Sequence, residues 1–200
     1  MKKRIYFNKC DDMRFISHLD LLRFLERVLT KGEIPVKYSQ GFHPRPKISL
    51  GNPVSLGTEA FNEVMDIDLE TDMDNDKILS IINNMNVLGF TILKVEDCLD
   101  KISIVEKFKT AVYRISGEEK DIDALANLLS QETIIESKEK KGKVVERDLK
   151  EKISDVIRKS ETQIEIHIAN GSPNVYIEMA GVELTNVDIQ KFGYTESEIV

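Results

Sequence analysis

The sequence predicts an α+β fold made of two tandem ferredoxin-like domains, each with the element order βαββαβ and an antiparallel sheet. Three observations lead to this prediction. Two early segments repeat apolar residues at helical spacing, extended segments flank both of them, and the same order of segments recurs in the second half. We expect the domains to span residues 1–99 and 104–200, with the boundary at Leu99–Ser103.

In the first domain, residues 3–8 are predicted to form a strand that continues through 13–16 after a kink at Asp11-Asp12. The next segment is predicted to be a helix that Ser17 caps together with Asp20 and that Gly32 ends in a left-handed turn. The later elements are expected to be a strand Ile34–Ser39, a loop Gln40–Lys47, an extended piece Ile48–Leu50, a strand Glu63–Glu70, a helix from Asp74 or Asn75 to Met85, and a strand Phe90–Val95.

The second domain is predicted from weaker patterns of the same kind. Its expected elements are a strand Ile104–Ser116, a helix capped by Asp121, a hairpin of Thr133–Lys138 and Lys143–Asp148 around Lys141-Gly142, a helical insert Leu149–Ser160, a strand Thr162–Ala169, a brief helix between Ser172 and Gly181, and a strand Val187–Tyr194.

Charge is unevenly distributed along the chain. The 200 residues carry a net charge of −7, but the first fifty hold eleven Lys and Arg against five Asp and Glu, a local charge of +6. A basic face can bind phosphate whatever the total charge, because salt screens distant charges. We therefore look for a binding site in the first fifty residues.

Several classes of protein are excluded by composition. No apolar run approaches the roughly 20 residues that a membrane span needs, and the basic start lacks the apolar core of a signal peptide. Cys10 and Cys98 have no Cys or His neighbour at the spacing of metal ligands. We expect a cytoplasmic protein with no membrane partner, no metal site and no other cofactor.

The segment Tyr38–Lys47 is the strongest candidate for a binding site. Pro44 and Pro46 stiffen a loop that presents cationic side chains beside Phe42, as contact with a phosphate and a stacked base would require. An alternative is that Phe42 fills the core and the prolines only rigidify the turn. With a cationic stripe on the preceding helix, the candidate RNA-binding or ligand-binding residues are Arg23, Arg27, Gln40, Gly41, Phe42, His43, Arg45 and Lys47.

The run Ser17-His18-Leu19-Asp20 superficially suggests a hydrolase. Ser17 and Asp20 are spaced as a helix-capping pair, whereas a nucleophilic triad needs its histidine between the other two side chains in space. We assign Ser17 and Asp20 to capping. His18 and His43 remain candidates for general acid and base in phosphodiester chemistry, and we expect the Gly41–Lys47 loop to lie beside the N-terminus of the Ser17 helix.

Several of these motifs occur in an order that resembles a known bacterial family. They are Phe15-Ile16-Ser17-His18-Leu19-Asp20, Arg27, Pro35, the Tyr38–Lys47 loop, Leu56-Gly57, Glu63 and, further along, Lys141-Gly142-Lys143 and Asp148-Leu149. Together they resemble an uncharacterised, radical SAM-linked family, a domain of unknown function found alone or fused behind a radical S-adenosylmethionine enzyme. The resemblance implies an accessory role beside such an enzyme, since this chain has no three-cysteine cluster motif.

Three functional hypotheses follow. The favoured one is a non-catalytic RNA-binding module, for a structured RNA such as tRNA, or a substrate-presenting module, acting with a radical SAM enzyme. The alternatives are a metal-independent endoribonuclease using His43 or His18, and a protein that only docks other proteins. We expect RNA and a radical SAM enzyme as partners, and no DNA.

Overall fold

The structure, a computed structural model, describes residues 1–140 and 142–196. It is a mixed α and β protein whose strands pair in a mostly antiparallel manner. The described residues form two compact units, the first holding Met1–Lys109 and the segment that begins at Lys191, and the second holding Thr110–Gln190. In the described part of the chain, no helix is both long enough and apolar enough to cross a membrane.

The first unit contains two long helices and a sheet. Its elements are β1 (Lys2–Lys9), α1 (His18–Lys31), β2 (Ile48–Leu50), β3 (Glu59–Asp68), α2 (Asn75–Asn83), β4 (Phe90–Asp97), α3 (Ile104–Lys107) and the last residues of β10 (Val187–Tyr194). The strand order is β4-β1-β3, with β2 also paired to β3. Lys2 at the start of β1 pairs with Asp68 at the end of β3, and Ile5 pairs with Met65.

Both long helices cover the same face of this sheet. Alternate residues of β1 and β3, such as Ile5 and Ile67, are buried against the apolar stripes of α1 and α2, as period-2 and period-3.6 patterns require. The shared core includes Phe7, Leu21, Leu25, Leu29, Met65, Ile78, Ile82 and Ile92. This core fixes α1 on the sheet and so positions the residues that follow it.

Charged side chains are buried on the opposite face of the same strands, at the residues that alternate with the apolar ones. Arg4 is only 2% exposed and holds Asp66 through two hydrogen bonds, Nε to Oδ1 at 2.8 Å and Nη2 to Oδ2 at 3.0 Å. Its Nη1 donates to Asp100 at 2.7 Å, and its guanidinium lies 4.9 Å from the centre of the Phe108 ring. Buried charge is tolerated here because each group has a partner.

The second unit has a sheet of its own. Its elements are β5 (Thr110–Gly117), α4 (Glu119–Leu129), β6 (Ile135–Lys140), β7 (Lys143–Asp148), β8 (Ile153–Ser160), β9 (Gln163–Ala169), α5 (Asn174–Met179) and the first residues of β10. The strand order is β10-β5-β9-β8, while β6 and β7 form a separate hairpin. The predicted turn residue Lys141 and residues 197–200 of the predicted second domain lie outside the described residues.

Four predicted elements are wrong in whole or in part. Asp11–Phe15 is a 3-10 helix and not a continuation of the first strand. Ile104–Lys107 is helical, because Ser103 and Glu106 form a reciprocal capping box ahead of β5. The expected helical insert is helical only at Lys150–Lys152, and the rest of it is β8, since its backbone pairs with β9. The expected strand Ile34–Ser39 makes only two isolated bridges, at Val36 and Tyr38.

The predicted end of α1 is correct in place but not in mechanism. Gly32 is the C-cap with φ −78°, and the left-handed residue is Glu33 at φ 52°. A Cβ on Gly32 would lie 2.8 Å from Cγ2 of Ile81 on α2. Glycine is required here because the two helices approach closely, rather than because of its backbone angle.

Candidate functional site

The loop after α1 is anchored at the end of the sheet where β1 begins. Lys37 N–H donates to the carbonyl of Asp68 at 2.7 Å, and Lys47 N–H donates to the carbonyl of Lys37 at 2.7 Å. Tyr38 and Pro46 form an antiparallel bridge above these bonds. Ser39 N–H donates to the Arg45 carbonyl at 2.8 Å, and Arg45 N–H donates to Ser39 Oγ at 3.0 Å. The base of the loop is therefore closed by hydrogen bonds.

The tip of this loop projects into solvent. Residues 40–45 are all exposed, and the ring of Phe42 is fully exposed. Gly41 precedes it at φ 137°, a conformation that side chains disfavour, and its missing Cβ would meet nothing within 4 Å. The alternative in which Phe42 fills the core is wrong, because its ring is fully exposed.

A groove of about 530 Å³ lies between the loop and the second half of α1. It is lined by Glu26, Arg27, Thr30 and Lys31 from the helix and by Tyr38, Pro44, Arg45 and Pro46 from the loop. Arg45 Nη1 lies 3.5 Å from Glu26 Oε1. Among the described residues, Arg27 and Lys31 have no carboxylate within 4 Å. The groove therefore has three cations against one carboxylate.

The predicted binding residues do not all meet in this groove. Arg27 and Arg45 line it, and Gln40, Gly41, Phe42 and His43 form the adjoining tip. Arg23 instead lies one turn earlier and pairs with Asp20 at 3.2 Å. Lys47 lines a separate pocket of about 230 Å³ with Lys2 and Asp68.

The N-terminus of α1 is a capped helix end. Ser17 is the N-cap, as predicted: its Oγ accepts from the Asp20 N–H at 3.1 Å and donates to Asp20 Oδ2 at 2.7 Å. The hydrogen bond from Ser17, together with that from Arg23, lowers the pKa of Asp20. Ser17 and Asp20 are thus engaged in capping and are not arranged as a nucleophile and an acid.

The expectation that the loop lies beside the N-terminus of α1 is wrong. His18 begins α1 after the short 3-10 helix that follows β1, while the loop is anchored where β1 starts, about 24 Å from the end of that eight-residue strand. Where the loop does reach the helix, it contacts Glu26, about 12 Å along the axis from His18. The structure does not bring His18 to the loop that carries His43.

Sequence reasoning missed several groove residues. Lys31 follows Arg27 by four residues, the spacing that places two side chains on one helix face, so this signal was present. Tyr38 begins the candidate segment but was not among the candidate residues, and Thr30 gave no signal, because its place in the groove depends on how the loop folds back. In the described part of the chain, no group of three or more His, Cys, Asp or Glu side chains could hold a metal ion.

Comparison with known proteins gives one family match. A family model described as an uncharacterized protein conserved in bacteria (DUF2344) matches residues 2–176. None of the curated proteins searched matches the chain significantly.

Two solved structures are similar at low identity. A chain of a Cbf5-Nop10-Gar1 complex is 9% identical with a TM-score of 0.44, covering 96% of this chain and 48% of that one. An unknown protein from Galdieria sulphuraria is 12% identical with a TM-score of 0.29, covering 95% and 96%. This chain spans about half the length of the first, and neither similarity supports a conclusion about the fold or the function of this chain. The family match, by contrast, covers most of the 200 residues, and the chain therefore belongs to the bacterial family DUF2344.

Proposed function

We propose that this protein is a non-catalytic RNA-binding module that stacks an unpaired base on Phe42 and holds the neighbouring phosphates in the groove beside α1. The observation that carries the proposal is the fully exposed Phe42 ring at the tip of a hydrogen-bonded, proline-stiffened loop. An aromatic ring that is fully exposed buries no apolar area on folding, and a base that stacks on it would bury that area.

The ring suits a base better than a phosphate or a sugar. Aromatic side chains stack on unpaired bases, and each such contact is worth about 1–3 kcal/mol of binding. Bases are available for stacking in single-stranded loops and ends, and a closed duplex hides them. The proposed ligand is therefore unpaired RNA, and a loop of a structured RNA such as tRNA presents it.

The groove supplies the charge. Arg27, Lys31 and Arg45 line the groove. There they would contact the phosphates of an RNA strand whose base stacks on Phe42. The contact between Arg45 and Glu26 is long, at 3.5 Å, and a pair of this kind contributes only about 0–1 kcal/mol to stability. Arg45 can therefore exchange Glu26 for a phosphate at little expense in free energy.

Two further parts of the proposal rest on other grounds. The association with a radical SAM enzyme rests on the sequence resemblance alone and stays a prediction. The tandem ferredoxin-like architecture is supported by the two strand orders, β4-β1-β3-β2 and β10-β5-β9-β8. If the separate β6–β7 hairpin is left aside, both sheets have their strands in the order fourth, first, third, second along the chain.

The test is binding of a fluorescent twelve-nucleotide oligouridine and of a labelled tRNA, measured by anisotropy over a range of salt. We expect the Arg27→Ala/Arg45→Ala variant to bind more weakly, with the salt slope reduced by about 0.7 for each phosphate that the variant no longer neutralises. The matched control is Lys77→Ala/Lys101→Ala, which removes the same charge from exposed residues outside the groove. Equal affinity of the two variants, or no binding by the unchanged protein, would overturn the proposal.

The endoribonuclease alternative gains no support from the geometry. It would need an acid and a base on either side of one phosphate, and His18 lies at the other end of the helix from the anchored loop. We expect labelled RNA incubated with the protein in EDTA to remain intact. Cleavage that is abolished in His43→Ala would favour the enzyme instead.

A further inference from the structure

Large apolar side chains are exposed at the end of the first unit where β1 stops and α1 begins. Phe15 and Leu19 are each 63% exposed, Leu56 is 64% exposed and Leu88 is 91% exposed. Phe15 lies on the Asp11–Phe15 helix, and the other three lie on segments that adjoin or contact this helix. We call this surface the apolar end. Large apolar side chains that are exposed together commonly mark an interaction site.

These segments are fixed to one another by hydrogen bonds. Arg14 Nε donates to the Gly57 carbonyl at 2.6 Å, and Gly57 N–H donates to the Arg14 carbonyl at 2.9 Å, which places Leu56 beside Phe15. Cys10 N–H donates to the Gly89 carbonyl at 2.9 Å, which joins the segment that carries Leu88 to the start of the short helix. A Cβ on Gly89 would lie 2.3 Å from the Cys10 carbonyl, so the approach itself depends on glycine. The apolar end is thus organised before any partner arrives.

The charges around the apolar end are mostly acidic. Asp11 and Asp12 are exposed on the short helix, and Glu59 accepts a hydrogen bond from the Asp11 N–H at 3.1 Å. Two cations also lie here: the Arg14 guanidinium is 5.7 Å from the centre of the Phe15 ring, and Arg23 is paired with Asp20. An acidic rim repels the phosphates of a nucleic acid and attracts Lys and Arg side chains.

We propose that the apolar end docks a partner protein that presents apolar side chains flanked by Lys and Arg. This goes beyond the proposed RNA site, which lies at the anchored loop, and it does not depend on that site. Apolar anchors in the centre with charges at the rim are the usual anatomy of a protein interface. The rim charges select a basic partner and speed its approach, while the four apolar side chains supply the contact.

The test uses two amphipathic helical peptides of equal length as probes, one of leucine and lysine and one of leucine and glutamate. We expect the lysine peptide to bind at least about tenfold more tightly than the glutamate peptide, because only its charges complement Asp11 and Asp12. Phe15→Ser/Leu56→Ser should weaken binding by about tenfold or more. Leu99→Ser, at a leucine that is 92% exposed and lies after β4, should leave binding unchanged.

Charge is tested separately with Asp11→Asn/Asp12→Asn. This variant should lose most of the preference for the lysine peptide, while Glu70→Gln/Asp76→Asn, which removes two exposed carboxylates elsewhere, should keep it. Equal binding of both peptides, or equal effects of the two charge variants, would overturn the proposal. If the purified protein instead forms a dimer by light scattering and Phe15→Ser/Leu56→Ser makes it a monomer, the occupant is a second copy of the chain, and the proposed basic partner is wrong.

Discussion

At the scale of single residues, Phe42 separates binding from folding. Because its ring is fully exposed, Phe42→Ala should leave the melting temperature within a degree or two of the unchanged protein, while RNA affinity falls by about 1–3 kcal/mol. The comparison is Phe7→Ala, which empties a core position and should cost about 3–5 kcal/mol of stability. Thermal melts and anisotropy on the two variants decide the matter. Unchanged affinity in Phe42→Ala would mean that the ring does not meet the RNA.

A second prediction at this scale concerns Gly32. Gly32→Ala should destabilise the first unit by about 1–3 kcal/mol, because its Cβ would press on Ile81 and on Cε of Met85 at 3.1 Å. Glu33→Gly, one residue later, should leave stability unchanged or raise it, because Glu33 occupies φ 52° and glycine adopts that angle without strain. Urea unfolding measures both. The opposite order of effects would mean that the angle at Gly32, and not the space, determines the residue.

These two residues show what sequence could reveal about the site. The prolines and cations of the Tyr38–Lys47 loop identified a stiff, basic segment before its position was known. The direction of the Phe42 ring and the reason for Gly32 were not accessible, because both depend on residues that are distant in sequence. Local chemistry predicted that a loop was unusual, and tertiary packing determined which of its side chains is free to bind.

At the scale of elements, the segment from Asp100 to Phe108 closes over the buried Arg4. Asp100 Oδ2 accepts hydrogen bonds from Lys107 Nζ at 2.5 Å and from Arg4 Nη1 at 2.7 Å, and these bonds lower the pKa of Asp100. A carboxyl group whose pKa is lowered by folding stabilises the protein above its unfolded pKa of about 3.9, and loses that effect as the pH falls through the folded value. The charged segment should therefore be most stable near neutral pH.

Asp100→Asn tests this pH dependence. The variant should melt below the unchanged protein at pH 6–7, and the gap should close as the pH falls below about 4, where the carboxylate takes up a proton. Asp12→Asn, which changes an exposed carboxylate, serves as the control and should show no such gap. A gap for Asp100→Asn that stays constant from pH 7 to pH 3 would contradict the role of its charge.

Element predictions succeeded where the pattern was long and failed where pairing overrides it. The stripe of α1 and the alternation of β9 were enough to place both elements. In β8, Ile153, Val156 and Ile157 recur at helical spacing, and two register shifts against β9 break the alternation that would have revealed a strand. For α3, the Ser103–Glu106 capping box was present in the sequence, but an apolar run that resembles a strand outweighed it.

At the scale of the whole molecule, the positive and negative charges of the two proposed sites lie at different places in the first unit. The cationic groove lies at the second half of α1, and the acidic rim lies before its first turn. A net charge of −7 describes neither surface. Under the two proposals, this separation would let one unit bind a polyanion and a basic protein without competition, because charges further apart than about 10 Å are screened at 0.1 M salt.

The final prediction concerns β10, whose last residues belong to the first unit. Lys191 on β10 is completely buried, with Nζ 2.6 Å from Glu63 Oε1, and it donates to Tyr194 Oη at 2.8 Å. Burial lowers the pKa of Lys191, and the charge of Glu63 opposes that shift. Lys191→Met alone should cost about 3–5 kcal/mol, because it leaves the Glu63 carboxylate buried without its partner.

The double variant Lys191→Met/Glu63→Leu should recover part of that stability, because it removes both charges of the pair from the interior, although the buried Lys9 then loses the attraction of the Glu63 carboxylate. Urea unfolding of the two single variants and the double variant gives the coupling between the residues. Strong coupling is expected, with each single variant less stable than the double one. Additive effects would contradict this account, and would show that each side chain is held by packing that the other does not share.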